Sequence, residues 1–317
     1  MTAAQRVDEF EELRPQLLAV AYRLTGTFAD AEDAVQDAWL RWAGSTAAPQ
    51  DLRAWLTTVV SRLSLDRLRS AARRREAYVG EWLPEPVVTP LGEDDPLAVV
   101  VARDDARFAA MVVLERLTPD QRVAFVLHDG FAVPFPEIAD VLGVSAAAAR
   151  QLASRARKIV SGDPAPPRDT GHDEVVGRLL AALASGDVDT AVLLLHPEVT
   201  FTGDANRKAP TAIRIIHGAD KVMRFMLGLS QRYGPAWLDS TRPALVNGEL
   251  GLYLTGSPGG EGYPPVTPRV IAMAVAEGKV TAVWDVANPD KFTASPLRNL
   301  RPAMESGTRR PSRTPAR

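Results

Sequence analysis

Basic side chains cluster in the segment SAAAARQLASRARKIV, which runs from Ser145 to Val160 and contains no acidic residue. Cationic side chains pair with the phosphates of nucleic acids, and such contacts position a protein without reading sequence. Arginine can also bind guanine through two hydrogen bonds, and glutamine can bind adenine likewise, so Arg150 and Gln151 are our candidates for base contact. The residues of this segment that we expect to meet DNA are Ser145, Arg150, Gln151, Ser154, Arg155, Arg157 and Lys158.

The residues before this segment predict the structure that presents it. Apolar side chains recur at helical spacing from Phe135 to Leu142, and a turn follows at Gly143. Ser145 suits the N-cap of the basic helix, because its hydroxyl can accept a backbone N–H that the first turn leaves unpaired. A helix, a turn and a basic helix together predict a helix-turn-helix. The alternative is a helical hairpin whose basic face serves packing alone.

A second charged helix is predicted over DAEDAVQDAWLRWA, which begins at Asp30. The spacing places Asp30, Asp33 and Asp37 on one face and Trp39 and Trp42 on the opposite face. The acidic face has the charge to dock on a basic protein surface. The alternative is an ordinary amphipathic helix, because acidic residues are favourable in the first turn of any helix.

A long amphipathic helix is predicted over LRAWLTTVVSRLSLDRLRSAARRRE, after a polar loop at 44–51. Its last turns are strongly basic. Arg73, Arg74 and Arg75 fit phosphate contact and a solvated helix end equally well. The order of an acidic helix, a loop and a basic helix therefore carries more information than any one of these segments.

That order resembles a known family. FADAEDAVQDAWLRW, RAWLTTVVSRLSLDRLRSAARRR and the Ser145 helix are similar to regions 2.2, 2.3–2.4 and 4 of extracytoplasmic-function (ECF) sigma factors, over roughly residues 7–160. The resemblance implies that the chain directs bacterial RNA polymerase core to promoters. The implied partners are promoter DNA and the polymerase core, through the clamp helices of its largest subunit and the flap of its second.

The resemblance also implies roles for individual residues. Those implied in binding polymerase core are Asp30, Glu32, Asp33, Gln36 and Asp37. Those implied in recognising and melting the minus-10 element are Ser45, Asp51, Ser61, Arg62, Arg67, Arg69 and Arg73. The Ser145 helix is implied in reading the minus-35 element. Melting requires a base to leave the stack, and contacts to that base and to phosphates offset the cost.

Two short motifs narrow the resemblance. WLPEP places a tryptophan and two prolines in an acidic linker, and NPDK follows the last predicted strand. Both are similar to signatures of the ECF subgroup with a fused C-terminal SnoaL-like domain, although WLPEP also fits a plain proline-rich spacer. The resemblance implies that the fused domain regulates the sigma core directly, so we expect no separate anti-sigma factor. The residues implied in this interdomain regulation are Trp82, Leu83, Pro84, Glu85, Pro86, Asn288, Pro289, Asp290 and Lys291.

The C-terminal residues alternate between helical and strand patterns, which predicts an α+β domain; the resemblance implies a cone-shaped fold around a pocket. Candidate pocket residues are Asp204, Lys208, His217, Glu249 and Asp285. His217 fits a helix cap equally well, and Asp285 fits a structural ion pair. Proton transfer, ligand sensing and protein–protein regulation remain open for this domain. The segment from Asp204 to Lys208 lacks the glycines of the subgroup's Asp-Gly-Gly-Gly-Lys motif, so we expect a different loop shape.

Composition limits the kinds of site and the cell compartment that we expect for this chain. The chain has 317 residues, no cysteine, four histidines and a net charge of −2. It has no thiolate ligand and its histidines show no metal-ligand spacing, so we expect neither a cofactor nor a metal. The N-terminus does not read as a signal peptide, and no apolar run reaches membrane-spanning length. We therefore expect a cytoplasmic protein without membrane contact.

We predict a multidomain chain in which two all-α sigma domains precede an α+β SnoaL-like domain. The predicted segments are region 2 at 1–78, a linker at 79–103, region 4 at 104–161, a second linker at 162–172, the SnoaL-like domain at 173–292 and a basic disordered tail at 293–317. Two rival functions are a SnoaL-like enzyme with a DNA-binding appendage and a ligand-sensing one-component regulator. Only a sigma factor needs the acidic docking helix, so we favour a sigma factor and expect no enzyme.

Overall fold

Three long helices form the first part of the fold. The computed structural model describes residues 3–45, 49–75, 78–92 and 106–292, with the side chains of residues 3 and 73–75 outside the described part. The helices are α1 (Ala3–Thr25), α2 (Phe28–Ala43) and α3 (Leu52–Arg75). α1 ends at Gly26, whose φ of +75° is a left-handed conformation that glycine adopts without steric cost. The three helices bury their apolar stripes against one another.

The next helices form a second unit. They are α4 (Phe108–Leu114), α5 (Pro119–Phe125), α6 (Phe135–Leu142) and α7 (Ala146–Gly162), with a π-helical turn at Val126–Gly130 after α5. Thr118 and Gln121 form a reciprocal capping box that starts α5. Gly143, with φ of +69°, turns the chain between α6 and α7. The predicted helix-turn-helix is therefore present, and α7 packs closely because the side chains it buries are alanines.

The C-terminal unit is a mixed sheet with helices on one face. The helices are α8 (His172–Ser185), α9 (Val188–Leu193), α10 (Ala219–Tyr233) and α11 (Pro235–Ser240). The strands are β1 (Val88–Pro90), β2 (Leu195–Asp204), β3 (Ile216–His217), β4 (Thr241–Val246), β5 (Glu249–Leu254), β6 (Arg269–Ala276) and β7 (Lys279–Val286). Their order in the sheet is β1-β4-β5-β6-β7-β2-β3, with β2 and β7 parallel. Two-residue turns at 247–248 and 277–278 have positive φ and close the hairpins β4–β5 and β6–β7.

The first linker is not a free spacer. We predicted that its prolines and acids exclude a strand, and this is wrong for β1, which pairs antiparallel with β4 as an edge strand of the C-terminal sheet. Pro90 is tolerated there because an edge strand needs fewer ladder hydrogen bonds. The strand joins the segment between the two helical units to the last unit of the chain. The predicted tail at 293–317 and the predicted linker residues 93–103 lie outside the described residues, as do residues 104 and 105.

The units share their hydrophobic cores. One core runs from Phe10 in α1 to Ala156 in α7, so the first two helical units pack directly on each other. The sheet buries two more cores, one on each face. α8 and α10 cover one face, whereas Leu83 of the linker, Phe108 of α4 and Phe292 cover the other. Within the described parts of the chain, no helix is both long and apolar enough to cross a membrane.

Candidate functional site

The basic helix α7 presents most of its predicted DNA contacts to solvent. Gln151, Ser154, Arg155 and Lys158 are exposed, on the face opposite the buried alanines. The other three predicted DNA contacts of α7 each have an interaction partner within the protein. They are Ser145, Arg150 and Arg157. Ser145 Oγ accepts the Ala148 N–H at 3.2 Å and so caps the helix.

Arg150 and Arg157 are held at the two ends of this face. The Arg150 guanidinium lies 5.5 Å from the Phe135 ring centroid and remains exposed. Arg157 Nε donates to Asp129 Oδ1 at 2.7 Å, and this hydrogen bond raises the pKa of the guanidinium. Arg150 therefore stays exposed for the predicted base contact, whereas Arg157 has one of its N–H donors engaged by Asp129.

The predicted docking face of α2 is open. Asp33 and Gln36 are exposed, and Leu40, one turn further on, leaves 60% of its surface in solvent. Sequence reasoning missed Leu40, although its spacing from Gln36 is the signal that places it on the same face. Asp30 accepts a hydrogen bond from Thr27, and Glu32 forms an ion pair with Arg14 at 3.3 Å.

Two predicted DNA contacts of α3 also bond the second helical unit. Arg62 donates to the Asp140 carbonyl at 2.9 Å, and Arg69 forms an ion pair with Asp120 at 2.8 Å. Asp120 belongs to α5 and Asp140 belongs to α6. Both arginine side chains remain exposed, and each guanidinium has further N–H donors.

Three further minus-10 candidates have structural roles here. Arg67 pairs with Asp37 at 2.7 Å, so one predicted DNA contact and one predicted polymerase contact neutralise each other. Asp51 Oδ1 accepts the Ala54 N–H at 2.9 Å and caps α3. Ser61 is fully buried, and its hydroxyl has no partner among the described residues, so the expectation that it faces DNA is wrong for this arrangement.

Two predicted minus-10 contacts remain, namely Ser45 and Arg73. The Ser45 carbonyl accepts a hydrogen bond from Arg6 at 2.9 Å, which ties the start of the loop to α1. The side chain of Arg73 lies outside the described residues.

The two motifs WLPEP and NPDK meet around one lysine. Lys291 is only 3% exposed, and its Nζ lies 3.4 Å from the centroid of the Trp82 ring. It donates to the Asp204 carboxylate and to the Leu83 carbonyl. A buried ammonium group needs such a set, because an unpaired charge away from water is very costly. We call the contact between Trp82, Leu83, Asp204 and Lys291 the latch.

The Asp204 carboxylate accepts three hydrogen bonds. It accepts the Leu83 N–H at 2.8 Å and the hydroxyl of Tyr78, in addition to Lys291. Burial and the nearby Asp204 charge raise the pKa of Tyr78, which keeps its hydroxyl protonated as a donor. Asn288 donates to the same hydroxyl at 2.9 Å. Asp204 therefore connects the linker to the NPDK segment.

The loop after Asp204 completes this contact. Asn206 Oδ1 accepts the Val79 N–H at 3.3 Å, and Lys208 forms an ion pair with Asp290. Asn206 and Arg207 adopt φ of +46° and +59°, although neither is glycine. These two residues therefore adopt positive φ without being glycine, at a steric cost of about 1–2 kcal/mol per residue that asparagine carries more easily than arginine.

Glu85 of WLPEP caps a helix of the first unit. Its Oε2 accepts the Phe28 N–H at 2.7 Å, and its own N–H donates to the Gly26 carbonyl at 2.8 Å. The N-cap residue Thr27 bonds Asp30 instead of the first turn, so the linker supplies the missing acceptor. A carboxylate is favourable there because helix N-termini carry partial positive charge. Pro84 and Pro86 are buried on either side.

Asn247 joins the C-terminal sheet to both helical units. It is fully buried at the tip of the β4–β5 hairpin. Its Nδ2 donates to the Tyr22 hydroxyl at 2.9 Å and to the Ala106 carbonyl at 2.8 Å, and its Oδ1 accepts the Val87 N–H at 3.0 Å. Sequence reasoning missed this residue; its signal was an Asn-Gly pair between two strands, which predicts a turn but no partner.

The structure does not bring the candidate pocket residues into one cavity. Asp204 and Lys208 belong to the latch region described above. His217 is exposed and lines a crevice of about 710 Å³ between the outer sheet face and α4. Glu249 pairs with Arg107 at 3.3 Å. Only Asp285 lines the cavity enclosed between the sheet and its helices.

Asp285 is 1% exposed and lies on the cavity side of β7. Its Oδ2 accepts hydrogen bonds from Thr211 at 2.6 Å and from Arg269 at 2.9 Å. Burial raises the pKa of this carboxyl, and the Arg269 charge opposes that shift. Asp285 therefore forms an ion pair, with Arg269, and it also lines a cavity. Both features were predicted for it as alternatives. Gly203 permits the arrangement, because an added Cβ there would collide with Thr211.

Comparison with known proteins identifies the family. Residues 10–74 match the model of Sigma-70 region 2, and residues 107–160 match that of Sigma-70, region 4. The chain is 67% identical to ECF RNA polymerase sigma factor SigJ of Mycobacterium tuberculosis over 302 residues, which cover 93% of this chain and 96% of SigJ. The chain belongs to the ECF RNA polymerase sigma factors.

Two further comparisons agree with this ECF sigma factor assignment. The probable ECF RNA polymerase sigma factor SigI of M. tuberculosis is 31% identical over 290 residues, covering 90% of this chain and 93% of SigI. The crystal structure of M. tuberculosis SigJ superimposes with a TM-score of 0.82 at 66% identity, and the match covers 92% of this chain and 99% of that one. The predicted fold class and the predicted function as a promoter-directing sigma factor are confirmed, and the two rival functions are not favoured.

Proposed function

We propose that this ECF sigma factor binds RNA polymerase core through the exposed face of α2 and holds its promoter-binding faces closed until core is bound. The clamp helices of the largest polymerase subunit meet α2, and the flap of the second subunit meets region 4. α7 reads the minus-35 element, and α3 with the loop before it opens the minus-10 element. The sigma factor acts in the cytoplasm, on the polymerase of its own cell.

The observation that carries this proposal is the pairing of α3 with region 4. Arg62 and Arg69 are two of the minus-10 candidates, and both are occupied by acceptors of region 4. We infer that the minus-10 element and region 4 compete for these side chains, because region 4 lies against the helix that presents them. Binding to the minus-10 element is then favoured when region 4 moves away from α3.

The C-terminal domain supplies the closing force. It bonds region 2 through Asn247 and Tyr22, the start of region 4 through Ala106, and the linker between them through the latch. We infer that these bonds break when the units separate, so they favour the closed member of a two-state equilibrium. Regulation in cis of this kind needs no separate anti-sigma factor.

The test combines run-off transcription with a distance measurement. Because the chain contains no cysteine, spin labels can be placed at E12C and S161C without other changes. Both sites are exposed and report on regions 2 and 4, respectively. We expect specific initiation with purified core, and we expect the distance between the labels to lengthen when core and promoter are added.

A label pair within the C-terminal domain, at D189C and E261C, is the control and should keep its distance. Absence of specific initiation across a promoter library would contradict the assignment of promoter faces. Specific initiation with an unchanged region 2 to region 4 distance would contradict the closed-to-open step alone.

A further inference from the structure

The π-helical turn at Val126–Gly130 holds the ring of His128 against Phe135, the first residue of α6. The two ring centroids are 4.0 Å apart and the ring planes differ by 27°, which is a stacked arrangement. His128 Nδ1 lies 3.1 Å from the Val133 carbonyl oxygen, and because a carbonyl can only accept, Nδ1 is the donor. This hydrogen bond fixes the orientation of the His128 ring.

The backbone after this turn is strained. Ala132 adopts φ of +55° although it is not a glycine. Two hydrogen bonds hold the chain there, from the Ala132 N–H to the His128 carbonyl at 3.0 Å and from the Val133 N–H to the Leu127 carbonyl at 2.9 Å. π-helical turns and strained backbone are often found at functional sites, where the surrounding structure maintains them. The turn is therefore a candidate for a role beyond connecting α5 to α6.

Phe135 also contacts an arginine of α7. The guanidinium carbon of Arg150 lies over the Phe135 ring, 5.5 Å from its centroid, which is within the range of a cation–π contact. The Arg150 side chain is exposed, so its N–H donors are available to a partner outside the protein. Arg155 and Lys158 of the same helix are exposed as well, but no ring or carboxylate of the described residues restrains them.

We propose that the stack of His128 and Phe135 determines promoter specificity, because it positions the Arg150 guanidinium to bind one guanine of the minus-35 element. His128 and Phe135 are thus positioning residues that act through Arg150. This role rests on the proposed reading of the minus-35 element by α7. Arg150 lies in the second turn of α7, near the N-terminal end that a recognition helix presents to base edges.

A guanidinium supported by a ring suits the recognition of guanine. Arginine binds guanine by donating two hydrogen bonds, to O6 and N7, and this requires one orientation of the guanidinium plane. A free arginine side chain loses rotamer freedom when it adopts that orientation, and this loss weakens binding. The ring contact restricts Arg150 before DNA arrives, so less freedom is lost on binding. The stack therefore acts on discrimination between bases, which phosphate contacts do not provide.

The same π-helical turn contacts a second arginine of α7, and this contact provides an internal comparison. Asp129 Oδ1 accepts a hydrogen bond from Arg157 Nε at 2.7 Å. Arg157 is a predicted phosphate contact, and the Asp129 carboxylate offsets its charge. We expect Asp129 to lower the affinity for every promoter alike, because phosphates carry no sequence information. The neighbouring residues His128 and Asp129 thus act on two different properties of α7.

The test measures base preference with the holoenzyme formed from the full-length chain and RNA polymerase core. A promoter library carries each of the four bases at each position of the minus-35 element, and run-off transcription gives the relative activity of each promoter. R150A should remove the preference for guanine at one position, which identifies the base that Arg150 contacts. At that position we expect F135L to lower the preference for guanine about threefold, because leucine has no ring face.

Matched variants separate positioning from folding. F135Y keeps the ring and should retain the native preference. H128L removes the stacked ring beside Phe135, and we expect it to lower the preference at the same position. F135L should leave preferences at the other positions unchanged, since a folding defect would lower activity at all positions alike. D129N should raise the affinity for all promoters together and leave the base preference unchanged.

A native preference for guanine in F135L would overturn the proposal, and so would a loss shared equally by all positions or by F135Y. A preference that survives R150A would overturn it as well. In each of these cases, specific initiation by the native holoenzyme would still support the proposed function. Absence of specific initiation by the native holoenzyme would contradict the proposed function, and the role of the stack with it.

Discussion

Two helices of region 2 differ in what covers them. The face of α2 around Asp33 and Gln36 is open to solvent, whereas α3 donates Arg62 and Arg69 to region 4. The first surface is free of region 4 among the described contacts, whereas the second contacts it. In the proposed function this difference separates polymerase docking from DNA binding, because we infer that only DNA binding needs region 4 to move.

This separation has an energetic consequence. A partner shifts a two-state equilibrium only by its differential affinity for the two states. Docking on α2 alone is compatible with both states and shifts nothing. We therefore propose that contacts of core with region 4 supply the opening energy.

The largest effect is expected at the latch. K291M leaves Asp204 as a buried charge without its cation, and we expect a loss of about 3–5 kcal/mol in the free energy of unfolding, measured by urea denaturation. The covered helix should then become accessible, and DNA binding by the free protein should rise. K221M, at an exposed lysine of α10, is the control. A K291M protein as stable as native would show that the latch does not hold the linker.

The second effect concerns the open helix. D33K combined with Q36K places two cations on the docking face, and we expect core affinity to fall about 100-fold through charge mismatch. Neither residue contacts region 4 among the described contacts, so the closed arrangement should persist. Fluorescence anisotropy with labelled core measures the affinity, with E261K as a surface control. Unchanged affinity would place polymerase on another face.

The third effect concerns the junction of the three units. N247D keeps the shape of the side chain but replaces the Nδ2 donors with an acceptor that faces the Ala106 carbonyl. We expect a loss of about 2 kcal/mol in the free energy of unfolding. The label distance between regions 2 and 4 should broaden, and Q231E on exposed α10 should leave it unchanged. A sharp native distance in N247D would remove Asn247 from the closing contacts.

The smallest effect is expected at the surface pair between α3 and region 4. D120N removes the partner of Arg69, and because both side chains are about 40% exposed we expect a change below about 1 kcal/mol that vanishes at high salt. D140N is a matched control, since Arg62 bonds the Asp140 backbone carbonyl and loses nothing. If D120N lowers the free energy of unfolding more than K291M does, the surface pair is a stronger contact than the latch, and the expected ranking is wrong.

Local patterns predicted most elements and failed where a partner is distant in sequence. α2, α7 and the hairpin at Glu277 follow from periodicity, a capping serine and turn chemistry within a few residues. β1 does not, because its prolines argue against a strand and its partner β4 lies in another domain. Resemblance brought WLPEP and NPDK to attention, but only the fold places Lys291 against Trp82.

The predicted DNA-binding faces of α7 and α3 show the same limit of local patterns. Exposure of Gln151 and Arg155 on α7 follows from the helical pattern of buried alanines. Burial of Ser61 does not, because a polar residue type gives no sign that its helix face is packed against other helices. Residue type predicted which side chains can meet DNA, and packing decides which of them are free to do so.

The pairing of β1 with β4 also sets an order of events on the ribosome. Val88 is made 158 residues before its partner Val246. At ordinary rates of synthesis the edge strand waits on the order of ten seconds for its sheet. During that interval both helical units have emerged while the latch residue Lys291 has not been translated. A nascent chain therefore passes through a period in which its promoter-binding helices exist without the domain that closes them.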